Sequence, residues 1–324
     1  MDSIIDGLMA AHPDERMTAP YLKLEGEFLL RSPLSHISEA VSTVAYLVQD
    51  PIVQPEGSVV EVGCYNGNAF RGQMRDLMAR RVADAVGGGL TINPFHFLFS
   101  GGRHDKQEDS LDLAAARALR SAIPMVAILG GGIGSQILGG RMRVMGSYPI
   151  CQEAIPVLPE RLHGDAARVS YKALTFEKEF SRRDDAKFGD GERFMAPVNA
   201  PRRLNAKGKV PSDQMRMTSE LVAPGTRLHA EMHLNHVSAL EVGCLVQAFL
   251  DFAQEPCIGG RCSRGHGLVS LTMREAGQPT PFYRSDLGEE GMPEVSVAAE
   301  ELARRYRAFL AVNGDAIAEA LTCV

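Results

Sequence analysis

Apolar and polar residues alternate along 21–31 (YLKLEGEFLLR) and again along 227–237 (RLHAEMHLNHV), the period-2 pattern of half-buried strands. The helical period takes over after 66. Phe70, Met74, Leu77, Met78, Val82 and Ala85 recur at i, i+4 and i+7, which predicts a helix to about 86 with Asn66 or Asn68 as its N-cap. On another face of that helix Arg71 and Arg75 stand one above the other. Residues 238–254 read as an amphipathic helix and 268–273 as a short apolar strand. Between these anchors the pattern predicts a short helix over 110–123, an apolar strand over 124–129 running into the glycines of 130–135, and a returning strand over 141–151. A long connection joins the first strand to the first helix. Residues 175–217 show little periodicity and are expected to protrude as a flexible insertion, 278–293 read as an acidic linker, and 295–321 as a terminal helix. No internal repeat is evident. The core elements therefore run β, α, β, β, α, β, a split βαβ arrangement of the α+β class in which one sheet face can stay open. Open sheets of this kind bind single-stranded RNA in several modules.

With 324 residues and 45% hydrophobic content the chain has enough apolar mass for a substantial core. Residues 1–6 carry no basic stretch before an apolar run, and no run approaches a membrane span, so a cytoplasmic protein with no membrane partner is expected. Cysteines at 64, 151, 244, 257, 262 and 323 lack tight paired spacing and are expected to be reduced. The net charge of −6 argues against a surface basic all over. Its distribution is uneven. Residues 193–209 carry Arg193, Arg202, Arg203, Lys207 and Lys209 with no acid, whereas 275–301 carry seven acids against Arg284.

The densest chemistry lies at 258–269 (IGGRCSRGHGLV), where four glycines fall within nine residues. Glycine lets the backbone pass close to a ligand, and exposed amides with Arg261 and Arg264 favour an anion, phosphate first. Arg71 and Arg75 near a helix N-terminus favour the same ligand. Cys257, Cys262 and His266, with Cys244 or Cys64, are the residue types of a zinc site, but no C-x2-C spacing supports one. The run 130–135 (GGGIGS) has neither a following Gly-Lys-Ser/Thr nor an evident acid about 20 positions on, so no nucleotide cofactor is expected, and no metal.

Four segments, in this order, resemble the RAMP superfamily of CRISPR proteins: Ser32-Pro33-Leu34-Ser35-His36-Ile37, the helix start Gly67-Asn68-Ala69-Phe70-Arg71-Gly72-Gln73-Met74-Arg75, Ala223-Pro224-Gly225-Thr226, and Gly259-Gly260-Arg261-Cys262-Ser263-Arg264-Gly265-His266-Gly267. The resemblance spans about 21–275 and is closest to the crRNA-binding backbone subunits of type IV effectors. It implies a modified RRM (ferredoxin-like) palm over about 21–174 and 218–275, a finger-like insertion over about 87–140, a thumb β-hairpin over about 175–217, and a C-terminal helix over about 295–322. It implies that copies stack along guide RNA into a helical filament, thumbs pushing between bases, and present the guide to target nucleic acid beside other effector subunits. Binding through the phosphate backbone suits a subunit that must accept any guide sequence. The RNA-binding residues expected on this basis are Ser35, His36, Ser38, Asn68, Arg71, Arg75, Arg141, Arg143, Arg182, Arg183, Arg193, Arg202, Arg203, Lys207, Lys209, Gly259, Gly260, Arg261, Ser263, Arg264 and His266, with no catalytic residue. The alternative is a RAMP-type endoribonuclease acting through His36 or through Asp50, which lies about where other branches place an RNA-cleaving aspartate.

Overall fold

The computed structural model describes residues 3–10, 18–102, 113–133, 136–183, 214–285, 292–322 and 324. In chain order the first half comprises α1 (Ile4–Ala10), β1 (Thr18–Leu30), β2 (Ile37–Val41), β3 (Val44–Leu47), β4 (Gln49–Val53), β5 (Val59–Gly63), α2 (Gly67–Ala85), α3 (Ile92–Ser100), α4 (Leu113–Ala122), α5 (Pro124–Leu129), β6 (Gly131–Ile133), β7 (Gln136–Leu138), β8 (Met142–Val144) and β9 (Tyr148–Pro149). The second comprises α6 (His163–Ala166), α7 (Tyr171–Leu174), β10 (Thr175–Arg183), β11 (Gln214–Val222), β12 (Arg227–Ser238), α8 (Ala239–Phe252), β13 (Val269–Glu275), β14 (Tyr283–Arg284), β15 (Glu294–Val295) and α9 (Val297–Leu321).

The central sheet has the order β15-β14-β13-β1-β12-β8. Taken as β1-α2-β8-β12-α8-β13, its core is the βαββαβ path, with the fourth, first, third and second strands side by side, all antiparallel. The period-2 pattern explains the layering. Leu22, Leu24 and Phe28 of β1 and Leu228, Met232 and Leu234 of β12 point to one side and are buried beneath α2 and α8. Phe70, Met74, Met78 and Val82 of α2 and Val242, Leu245, Val246 and Phe249 of α8 fill that layer. Ser238 caps α8 and Glu241 returns a bond to the Ser238 N–H at 3.0 Å, the reciprocal capping box. A smaller core of Ile52, Val62, Ile150, Leu158, Leu162 and Tyr171 supports the segment leading to β10.

Several expectations change. Residues 124–129 form a helix rather than a strand: Pro124 sits in its first turn and all six side chains are buried, so the run carries no alternation to distinguish the two. The returning strand over 141–151 is two short strands, β8 and β9, both paired to β12. The connection before α2 holds two hairpins, β2–β3 and β4–β5. The aperiodic 175–217 begins and ends in nine-residue strands, β10 and β11, paired antiparallel from Thr175↔Val222 to Arg183↔Gln214. β11 also joins β3, giving a second sheet of order β10-β11-β3-β2. The acidic stretch after 275 contributes β14 to the central sheet.

The face of the central sheet away from the helices carries a network of charges. Glu25, Glu27 and Glu231 stand there in ion pairs with Lys23, Arg161 and Arg227 at 2.8–3.1 Å. Burial would push the Glu25 carboxyl up, but Lys23 and Arg161 outweigh it and hold it below its ordinary value.

Candidate nucleic-acid interface

The glycine-rich loop is anchored by its own backbone. The Gly260 N–H donates to Ser35 O at 2.6 Å, the Gly267 N–H to Pro33 O at 2.8 Å, and the Ile258 N–H to Gly267 O at 2.8 Å. Gly267 has φ +79°, and a Cβ there would stand 1.9 Å from Ile258 O, so the close approach itself demands glycine. Part of the loop's amide set is committed: the Gly260, Arg264, Gly265, His266 and Gly267 N–H groups all donate within the protein. What the loop presents outward is side chains, with Cys262, Ser263 and Arg264 exposed around a turn of 3-10 helix.

The root of the β10–β11 hairpin closes over this loop. Arg261 Nη1 donates to Ser219 Oγ at 2.5 Å, and its guanidinium lies 5.6 Å from the centre of the Phe180 ring. Lys178 Nζ stands 5.6 Å from the same ring, and His266 packs on it at 6.0 Å between centroids. Among the described residues Lys178, Arg261 and Arg264 enter no ion pair with a carboxylate. Partial burial and then Arg264 lower the Arg261 pKa. His266 is 4% exposed, its Nδ1 has no partner, and burial, then Lys178, Arg261 and Arg264, hold its pKa below the ordinary value. Lys178, Arg261 and His266 surround one aromatic ring, with Arg264 near enough to act on the last two, and together the lysine and the two arginines make a positive surface suited to phosphate.

Lys178, Phe180 and Ser219 were missed in the sequence. Their signal is in TFEKEFSRR, where strand alternation puts Phe176, Lys178 and Phe180 on one side and Glu177 and Glu179 on the other. The expected Ser35, His36, Asn68, Gly259, Gly260, Ser263 and Arg264 do lie around the same edge. Ser35 is buried with an unpartnered Oγ, its backbone bridging to Gly260. Asn66 caps α2, accepting the Asn68 N–H at 2.8 Å, while Asn68 is exposed. Ser38 is exposed on β2. Arg143 is exposed on β8, across from His233. Arg182 and Arg183 continue β10 opposite Met215 and Gln214. Arg193, Arg202, Arg203, Lys207 and Lys209 lie outside the described residues.

Three expected residues have other places. Arg141 bonds both oxygens of Glu241, at 2.6 and 2.8 Å, and so tethers β8 to the start of α8. Arg71 and Arg75 do not face the loop. At ~100° per residue they lie about 200° and 160° around α2 from Gln73, which donates to Cys257 O at 2.5 Å beside the loop. Arg75 is 6% exposed and donates to the carbonyls of Leu98, Leu129 and Gly130.

The candidate catalytic groups are engaged elsewhere. His36 Nε2 accepts the Asn66 N–H at 3.3 Å, its ring packs edge-on against Tyr65, and burial lowers its pKa. Asp50 accepts from the Tyr148 hydroxyl at 2.8 Å, and burial together with Asp50 pushes the neighbouring Cys64 thiol up to about 12. Among the described residues no three His, Cys, Asp or Glu side chains converge as metal ligands. Nor is any helix among them long and apolar enough to cross a membrane.

The palm, its hairpin and the loop between them define an RRM-like α+β protein. Its fold is similar to that of a chain in a solved structure described as a Type IV-B CRISPR complex, with a TM-score of 0.55 and 18% sequence identity, over 80% of this chain and 93% of that one. No protein-family model and no curated protein matches the sequence.

Proposed function

We propose that the protein is a non-catalytic RNA-binding subunit of a CRISPR effector complex, lying along guide RNA with further copies of itself and with other subunits. The observation that carries this is the cluster of Lys178, Arg261 and His266 around Phe180, with Arg264 beside it, whose lysine and arginines enter no ion pair with a carboxylate among the described residues and which lies where hairpin and glycine-rich loop meet. The likeness to a chain of a Type IV-B CRISPR complex supplies the setting. The cations held around the Phe180 ring suit a phosphate, a mode of contact indifferent to sequence. The occupied hydrogen bonds of His36 and Asp50 favour a scaffold over a ribonuclease.

The test is fluorescence anisotropy with labelled single-stranded RNA across a salt series. Arg261→Ala with Lys178→Ala should weaken binding of unrelated sequences alike and flatten the slope of log affinity against log salt by about 0.7 per lost contact. An unchanged slope overturns the assignment. Electron microscopy of the RNA-bound protein should show assemblies longer than dimers, and labelled RNA should survive incubation with and without Mg²⁺.

A further inference from the structure

On the side of α2 turned away from the glycine-rich loop lies a cleft of about 300 Å³. Arg71 and Arg75 line it, with Ser100, Gly101 and Gly102 after α3 on one wall and the β6–β7 hairpin with Gly139 and Gly140 on the other. The two guanidinia are held from behind. Arg75 donates to Leu98 O at 3.4 Å, Leu129 O at 3.1 Å and Gly130 O at 2.9 Å, and Arg71 also donates to Leu129 O. Neither is in an ion pair with a carboxylate among the described residues. Burial, then Arg71, pulls the Arg75 pKa down to about 10, with Asp76 alone acting the other way.

Two like charges fixed one helical turn apart, neither in an ion pair among the described residues, are best satisfied by one compact group carrying two negative charges. Each arginine uses part of its fork on carbonyls and keeps the remainder for the cleft. Two of the lining glycines have open space beside them: a Cβ on Gly139 would meet nothing within 4 Å, and one on Gly132 nothing nearer than 3.6 Å. Ile137, 76% exposed, lines the rim and offers an apolar edge. The volume stands at the lower end of small-ligand pockets, room for one phosphorylated unit rather than a length of strand.

We propose that this cleft binds a phosphomonoester, a terminal dianionic phosphate carried either by a free nucleotide or by the phosphorylated end of an RNA strand. The site is independent of the guide-binding surface, where each phosphodiester carries a single charge.

Isothermal titration calorimetry with adenosine monophosphate, adenosine, and one oligoribonucleotide bearing either a 5′-phosphate or a 5′-hydroxyl tests it. Adenosine monophosphate should bind and adenosine should not. Arg71→Gln removes one cation, and Gly139→Asp places a carboxylate in the cleft from a position with neither strain nor contact. Each should lower affinity for adenosine monophosphate about tenfold or more. Gly164→Asp carries the same charge change on α6, where a Cβ also meets nothing, and should leave affinity within about twofold. Preference for the 5′-phosphate strand, lost in both cleft variants, assigns the strand end; equal binding of the two strands, with adenosine monophosphate still bound, assigns the free nucleotide. No binding of adenosine monophosphate, or equal losses in Gly164→Asp, overturns the proposal. Loss of 5′-hydroxyl RNA in parallel with the monophosphate also overturns it, because the cleft would then be reading diesters. Arg261→Ala should leave adenosine monophosphate affinity unchanged, so the two surfaces fail separately.

Discussion

Replacing Gly267 by alanine should cost far more than replacing Gly265, although both have a left-handed backbone, with φ of +79° and +78°. An L-residue in that region costs about 1–2 kcal/mol, and for Gly265 that is the whole penalty, because its Cβ would meet nothing within 4 Å. At Gly267 the Cβ would stand 1.9 Å from Ile258 O, a backbone atom that cannot swing aside as a side chain would. Residue 267 is pinned on both sides, its N–H donating to Pro33 O and its carbonyl accepting the Ile258 N–H, each at 2.8 Å. Relief of the clash therefore adds about 1–3 kcal/mol, whether as overpacking or as loss of those bonds at about 0.5–1.5 kcal/mol each. The expected losses are about 1–2 kcal/mol for Gly265→Ala and about 2–5 kcal/mol for Gly267→Ala, a large share of the total for a domain. Urea unfolding followed by circular dichroism measures both, with the slope m checked for constancy. RNA affinity should fall in Gly267→Ala, since the same bonds position Arg261, and should persist in Gly265→Ala. Equal losses, or a larger loss at Gly265, would refute the steric account of the loop.

Three further outcomes follow from particular contacts. Arg75→Met strips the carbonyls of Leu98 and Gly130 of their side-chain donor, leaves Leu129 O with Arg71 alone, and should cost about 2–4 kcal/mol in urea unfolding, against at most about 1 kcal/mol for Arg71→Gln; the reverse order would show that Arg75 is not the helix-end clamp. Arg141→Met should lower stability by about 1–3 kcal/mol by leaving Glu241 unpaired, yet keep RNA affinity within about twofold; an RNA loss as large as that of Arg261→Ala returns Arg141 to the interface. His266 titrates below its ordinary 6.5 in the folded chain because of burial and three neighbouring cations, so its contribution to stability is complete above about pH 6.5 and is lost as pH falls through the lowered folded value. A phosphate beside it raises that value again, so RNA affinity should rise as stability falls, and His266→Asn should reduce both trends in a series from about pH 7 to 5.

How far the sequence revealed this fold depended on whether one element could show its period. The alternation read over 21–31 falls on β1, Thr18–Leu30, and the helical repeat read to about 86 falls on α2, Gly67–Ala85. Six consecutive buried residues in α5 have no polar partner to reveal a helical period, and β8, at three residues, is too short to alternate. Chemistry was legible in part. The loop at 259–267 is recognisable from its glycines, but which amides it keeps for itself depends on Pro33 and Ser35, more than 200 residues earlier. The pair Arg71 and Arg75 was legible as a pair; that it turns toward α3 and α5 rather than the loop is a matter of helix packing, which spacing does not encode.

If the proposed function holds, the placement of charge explains how an acidic protein would hold RNA along one edge. The helix-free face of the central sheet carries Glu25, Glu27 and Glu231, and the cations beside them are consumed in pairs of 2.8–3.1 Å. A paired cation offers a phosphate little, because binding would require breaking an ion pair as well as losing hydration. The cations at the hairpin root differ in that Lys178 and Arg261 face an aromatic ring instead of a carboxylate. A cation–π contact holds the group in place and leaves its full charge uncancelled. On the reading proposed above, a strand meets mostly committed cations on the sheet, with Arg143 exposed at its edge, and uncommitted ones at the loop, so the net charge of −6 does not oppose binding there. Glu25→Gln with Glu27→Gln should accordingly raise nonspecific RNA affinity at low salt while leaving the Arg261-dependent part of the salt slope intact, whereas a change confined to that part would show that the sheet face takes no part in steering.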